Sequence, residues 1–354
     1  MNLRYAVVTV SFLFSSVAPF GAAAAGDTCQ PDVLHSLPLV AFRDGRAGLP
    51  VTFGEKQGAL VLDTTAVAQG GDAARKSVPV TGGLETMTAV RSNYTGIAGT
   101  LTQKTVDELG LSPTETGARY GGAGGGRREL KVLVPDFAIQ GQSPSSTEFL
   151  ISTGDSRLSE YAGTFAINNF RQFDFDFDLD FPGRGARLIA RGKCAGAPAD
   201  WSASPVARVS FSLDGNGYLE IPITLDGKEF AALLDTGSPS TTLDFGSASR
   251  TFRIKDTDAD LKAVTQTAEG RTVYSRPFTS IAFGDVAVAG PQILLVPGFR
   301  GKSEGAPTGS RVDRDRRGAL PPVIVGMSVL RQLRLYFAFD ERVIYIARSD
   351  AAAK

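Results

Sequence analysis

The chain has 354 residues, with 37 basic and 37 acidic side chains and a formal net charge of zero. That length suits one large domain or two ordinary lobes, and the balanced charge gives no bulk electrostatic case for nucleic acid or an acidic surface as partner. One histidine and two cysteines rule out a multi-histidine zinc site, and any histidine-based serine or cysteine chemistry would have to use that one residue. Glycine is abundant and Val, Thr and Phe dominate the apolar runs, so the fold expected is mainly β with many turns.

Residues 1–25 read as a secretory signal: Arg4 gives a positive start, an apolar run follows, and Ala22 to Ala25 offer a small-residue cleavage site. The apolar run is short and broken by Ser11, Ser15, Ser16 and Pro19, which favours cleavage over anchoring, and no later stretch approaches spanning length. A mature protein free of the membrane, periplasmic or extracellular, is therefore expected. Gly26-Asp27-Thr28 lacks the residues that would mark Cys29 for lipid attachment. In an oxidising compartment Cys29 and Cys194 favour a disulfide, which would tie the mature N-terminus to the segment between two halves.

Residues 26–48 read as a lead-in, where His35 is expected as an exposed bystander. Residues 49–181 form a first lobe, 182–205 a linker rich in Gly, Ala, Pro and Arg, 206–347 a second lobe, and 348–354 a frayed tail. The division rests on a repeat: residues 49–65, LPVTFGEKQGALVLDTT, are written again without a gap as residues 221–237, IPITLDGKEFAALLDTG. Pro50/Pro222, Thr52/Thr224 and Lys56/Lys228 coincide, and both copies end in an apolar strand that delivers Asp-Thr: Asp63-Thr64 and Asp235-Thr236.

The first lobe continues with a polar Gly-rich loop at 66–93 and a helix at 100–109, with Leu101, Val106 and Leu109 on one face and Gly110 as its stop. A glycine turn lies between strands at 120–128, and a polar turn holds the same place at 267–272. Each half closes with a small-residue turn and an Arg-Gln pair: Thr164-Phe165-Ala166 before Arg171-Gln172, and Ile324-Val325-Gly326 before Arg331-Gln332. In FDFDFDLDF, residues 173–181, strict alternation predicts a strand whose Phe173, Phe175, Phe177, Leu179 and Phe181 line the core. Asp174, Asp176, Asp178 and Asp180 are then expected on a solvated face, too far apart along one strand to converge on calcium. Residues 298–318, full of Gly, Ser and Arg, read as a solvated loop.

These repeated elements resemble the retropepsin/pepsin-like aspartic proteases, in the bacterial exported form with both lobes in one chain. The likeness is strongest in LLDTGSPST, residues 233–241, and VIVGMSVLRQL, residues 323–333. It implies a bilobal, mostly antiparallel β fold and a water held between Asp63 and Asp235 for hydrolysis of a peptide or an unfolded protein. A monomer with no metal or organic cofactor is expected. Thr64 and Thr236 would lock the two loops together, Gly237 would let its loop turn tightly, Ser238 would follow it, and Gly326 would let the second loop pack beneath. In the first lobe the glycine turn beginning at Gly121 and Gly122 would be the flap over the cleft. Tyr120 fits either a flap aromatic or packing at the hairpin base. Two positions depart from the family: Thr65 and Ala166 stand where glycines are usual, so the Asp63 loop must either use ordinary dihedrals or carry strain. A second reading therefore stays open, in which Asp63 caps its own turn and the chain binds peptides or a protein partner without cutting them.

Overall fold

The computed structural model describes residues 31–65, 97–120, 127–140, 142–152, 160–170, 172–178, 185–191, 205–213, 218–267, 270–298 and 320–349. The signal segment, both cysteines, the 66–93 loop, Gly121, Gly122 and most of the 298–318 loop lie outside these residues. The described chain is mainly β and forms three sheets, one for each half and a third shared between them.

Each half contains a hairpin written by the repeat. Ala47–Phe53 pairs with Lys56–Asp63 in the first half, and Leu219–Leu225 with Lys228–Leu234 in the second. Asp226 and Gly227 both have positive φ, at 44° and 74°, the conformation of a two-residue turn that matches the twist of paired strands. The return strands are apolar without alternation: Leu60, Val61 and Leu62, like Ala232, Leu233 and Leu234, are buried. A strand covered on both faces needs this pattern, and each runs parallel to a later strand. Lys56–Asp63 lies beside Gly163–Ala166, with Asp63 opposite Ala166, and Lys228–Leu234 lies beside Val323–Val325.

The order then repeats outward. Gly99–Thr102, Ser145–Ser152, Arg127–Ile139 and Thr114–Tyr120 follow in the first sheet; Thr242–Asp244, Gln292–Val296, Thr272–Pro277 and Lys262–Gln266 follow in the second. A short helix leaves the matching strand in each. Gln103–Leu109 is capped by the Thr102 hydroxyl, which accepts the Thr105 N–H at 3.1 Å, and stops at Gly110 in the left-handed conformation. Phe245–Phe252 is capped by Asp244, which accepts the Ser247 N–H at 2.8 Å. The helix expected at 100–109 thus begins only at Gln103, because Gly99–Thr102 is drawn into the sheet beside Gly163–Ala166 and Ser145–Ser152.

The third sheet holds six strands in the order Val33–Pro38, Gly185–Ile189, Asp174–Asp178, Leu333–Ala338, Val343–Arg348, Val206–Ser210. Three come from each half, and the halves meet at the antiparallel pair Asp176 to Tyr336. Two strands fall in segments read as lead-in and linker, so the duplicated unit is larger than the similarity of residues 49–65 and 221–237 reveals. His35, expected to be exposed, is partly buried here and its pKa is lowered by that burial.

The alternating run requires a correction. Phe173, Phe175 and Phe177 face the core as expected, but Asp174, Asp176 and Asp178 are buried too, at 4 %, 2 % and 5 % exposure. Their strand is central in the shared sheet, and its neighbours supply partners that water would otherwise provide. Arg187 and Arg334, one from each half, both hold Asp176; the Arg334 contact is 2.8 Å. Tyr336 donates its hydroxyl and Phe339 its N–H to Asp174 at 3.1 and 3.2 Å. Asp180 lies outside the described residues. On the opposite face aromatic rings run in contact from Phe137 through Phe165, Phe170 and Phe175 to Phe337. Each contact contributes about 0.5–1.5 kcal/mol beyond burial and ties the first lobe to the shared sheet.

Candidate active site

Asp63 is the last residue of its strand, and Asp235 directly follows Leu234 in the matching strand of the other half. Both are half-buried, while Thr64 and Thr236 are fully buried between them. The two threonines interlock. The Thr64 hydroxyl donates to the Leu234 carbonyl at 2.6 Å and accepts the Thr236 N–H at 3.0 Å. The Thr236 hydroxyl donates to the Leu62 carbonyl at 2.6 Å and accepts the Thr64 N–H at 3.1 Å. Each hydroxyl therefore satisfies one donor and one acceptor of the opposite half, buried groups that would otherwise cost about 1–3 kcal/mol apiece.

Above this lock the carboxyls converge. Asp63 Oδ1 accepts the Thr65 N–H at 2.7 Å; Asp235 Oδ1 accepts the Gly237 and Ser238 N–H groups at 2.9 and 3.1 Å. The Thr65 hydroxyl oxygen lies 2.8 Å from Asp63 Oδ1 and 3.3 Å from Asp235 Oδ1. Asp63 thus does cap its own turn, and the Thr65 hydroxyl that joins this cap also reaches Asp235. Burial first, and the neighbouring Asp63 charge second, push Asp235 up to about 6, against the pull of its hydrogen bonds from Gly237, Thr65 and Ser238. Two acids so placed can divide the work of acid and base.

Gly237 lies in a turn and brings its N–H to the Asp235 carboxyl, but the turn is not what requires glycine. Its φ is not positive, so no tight turn demands glycine there; a Cβ would instead lie 2.6 Å from the Asp63 carboxyl carbon. The opposite carboxyl occupies the space of its side chain. Thr65, at the matching place in the first loop, also keeps ordinary dihedrals, so the strain its β-branch threatened does not arise. Ala166 is buried beside Asp63, and its N–H donates to the Ala98 carbonyl at 2.9 Å. Gly326 does allow close packing: a Cβ would lie 2.3 Å from the Ser240 carbonyl oxygen. Ser238 donates its hydroxyl to Ser240, and its carbonyl accepts the Met327 N–H at 2.8 Å.

Tyr120 ends the strand Thr114–Tyr120, its backbone paired with Arg127. Gly121 and Gly122, like Cys29 and Cys194, fall outside the described residues. Two contributors went unnoticed in the sequence. Thr241 is fully buried, and its hydroxyl accepts the Gly326 N–H at 3.1 Å; it stands within LLDTGSPST and was legible there as a second buried hydroxyl. Arg46, from the segment read as lead-in, donates to the Gly237 carbonyl at 3.2 Å, lies over the Tyr161 ring and pairs with Asp44. Nothing local marks Arg46 for the site, because the Gly237 carbonyl it reaches lies in the other half of the chain.

Comparison with solved structures gives a retropepsin-like aspartic protease from Rickettsia conorii, at 13 % identity and TM-score 0.28, covering 41 % of this chain and 94 % of that one. It also gives an aspartic proteinase from Irpex lacteus, at 10 % identity and TM-score 0.43, covering 90 % of this chain and 99 % of that one. No curated protein matches the sequence. A family model described as aspartyl protease matches residues 221–329, which span the Asp235 loop and the Gly326 turn beneath it. Over those residues the second half of this chain is similar to the aspartyl protease family.

Proposed function

We propose that the chain is an aspartic endopeptidase in which Asp63 and Asp235 share one proton and direct one water at a peptide carbonyl. The supporting observation is the interlock of the two Asp-Thr loops, with carboxyls from both halves meeting at one hydroxyl. With Asp235 at about 6, that acid keeps its proton in mildly acidic solution, and a proton shared by the pair leaves the other carboxyl to act as base. The charged member takes a proton from water as its oxygen attacks the carbonyl. The protonated member hydrogen-bonds the carbonyl oxygen and afterwards assists departure of the amine. The two carboxyls supply acid and base between them, so the reaction draws on no metal or organic cofactor. An extended peptide or unfolded protein, bound by strand-like hydrogen bonding between the lobes, is the substrate class. Because one chain carries both loops, the monomer is the active form, exported after loss of residues 1–25.

Incubation of the purified chain with unfolded protein at mildly acidic pH, with and without pepstatin, tests this. Cleavage that is lost in both Asp63→Ala and Asp235→Ala supports the enzyme. Cleavage retained in either variant, or none from the parent at any pH, overturns it. Thr65 between the carboxyls and Ala166 beside Asp63 favour a second reading, a protein that holds peptides without cutting them; peptide binding with intact recovery of the peptide distinguishes it.

A further inference from the structure

We propose that the Thr65 hydroxyl is a third member of the acid–base machinery, one donor that serves whichever of Asp63 and Asp235 carries the charge. The inference rests on the dyad reading above and deepens it. The two oxygens within reach of this hydroxyl are matching atoms of the two loops: Asp63 Oδ1 accepts the N–H of Thr65, and Asp235 Oδ1 accepts the N–H of Gly237. The second loop offers no counterpart at the matching place, since Gly237 has no side chain and the Asp63 carboxyl occupies the space one would take. Among the described residues, both carboxyls thus share the Thr65 hydroxyl, supplied from one side. The backbone does not call for threonine here, because neither residue 65 nor residue 237 has positive φ.

A hydroxyl carries one proton and can donate one hydrogen bond at a time. Its bond to an ionised carboxylate is roughly twice as strong as its bond to a neutral acid. It therefore stabilises the singly charged pair over the fully protonated pair and makes the first ionisation easier. In the doubly charged pair the same single donor faces two charges, so the second ionisation changes little. The interval over which one proton is shared widens on its acid side. Rotation about the Thr65 side chain suffices to move the donor from one carboxyl to the other, and no covalent bond forms or breaks at this residue.

The test measures kcat/KM against pH on a peptide for the parent, Thr65→Val, Thr65→Gly and Thr65→Ser. In parallel, carboxyl-carbon NMR titration of the aspartate-labelled chain follows Asp63 and Asp235 directly. Loss of the hydroxyl in the Val and Gly variants should raise the acid limb, and the lower apparent pKa of the pair, by about one pH unit, with the alkaline limb moving less. The Ser variant should keep the parent's acid limb. An unmoved first ionisation in the Val and Gly variants overturns the proposal, as does an equal shift in the Ser variant. Should Val prevent folding, Gly, which stands at the matching place in the second loop, gives the answer. If the chain cleaves no peptide the endopeptidase reading falls, and the carboxyl titration alone decides this one.

Discussion

At Gly237 there is no room for a side chain, because the opposite Asp63 carboxyl fills the space one would take. Gly237→Ala should therefore displace Asp63 or open the loop, and a misplacement of that size is expected to lower kcat about a hundred-fold while the melting temperature changes little. Steady-state kinetics beside a thermal melt separate those two effects. The threonine lock gives a sharper energetic test. Thr64→Val removes one donor and one acceptor used by the other half, as does Thr236→Val. Each should cost about 2–4 kcal/mol in urea unfolding, and the double variant less than the sum, since both belong to one hydrogen-bond network. Nothing in the sequence distinguishes these hydroxyls from any other buried threonine except that they occur twice at the same place.

At the scale of elements, the strand Asp174–Asp178 shows how alternation can identify one face and miss the other. The apolar face was legible because phenylalanines declare themselves. The acidic face was read as solvated, yet it is covered, and arginine, tyrosine and backbone donors stand opposite its acids. Burial, the largest influence, pushes Asp174 up to about 6 from 3.8, although Tyr336, the Phe339 N–H and Arg191 pull it down. The folded chain thus binds this proton more tightly than the unfolded chain, and stability falls as pH rises through that window. Asp174→Asn has no proton to lose and keeps an oxygen for Tyr336. Its stability relative to the parent should rise between about pH 4 and about pH 7, by on the order of 1 kcal/mol, as urea titrations at the two pH values would show.

Across the described residues, the threonine lock at the site and the shared six-stranded sheet both join the two halves, and in that sheet Asp176 of the first half holds Arg334 of the second. The site therefore depends on docking of the halves, and its acid–base behaviour belongs to the assembled molecule. Peptide cleavage should be greatest in acid and should decline above about pH 6, where Asp235 gives up its proton. The decline should approach ten-fold per pH unit in kcat/KM. Activity that stays level to neutral pH would mean that this proton takes no part.

The features readable along the chain are local or repeated: a mainly β chain, strands ending in Asp-Thr, a helix stopped by Gly110, an apolar face on the phenylalanine strand. Such features follow from neighbours a few residues apart, or from two copies of one pattern, and they leave a mark in the order of residues. It took the packing of distant strands to carry the duplicated unit back to Val33, to bury the acids of the central strand, and to bring Arg46 to the loop of the other half. The same packing lets Thr65 keep ordinary dihedrals and turn its hydroxyl to both carboxyls. Those outcomes depend on which distant strands pair and on what fills the space between two loops, and packing across the chain imposes no period along it.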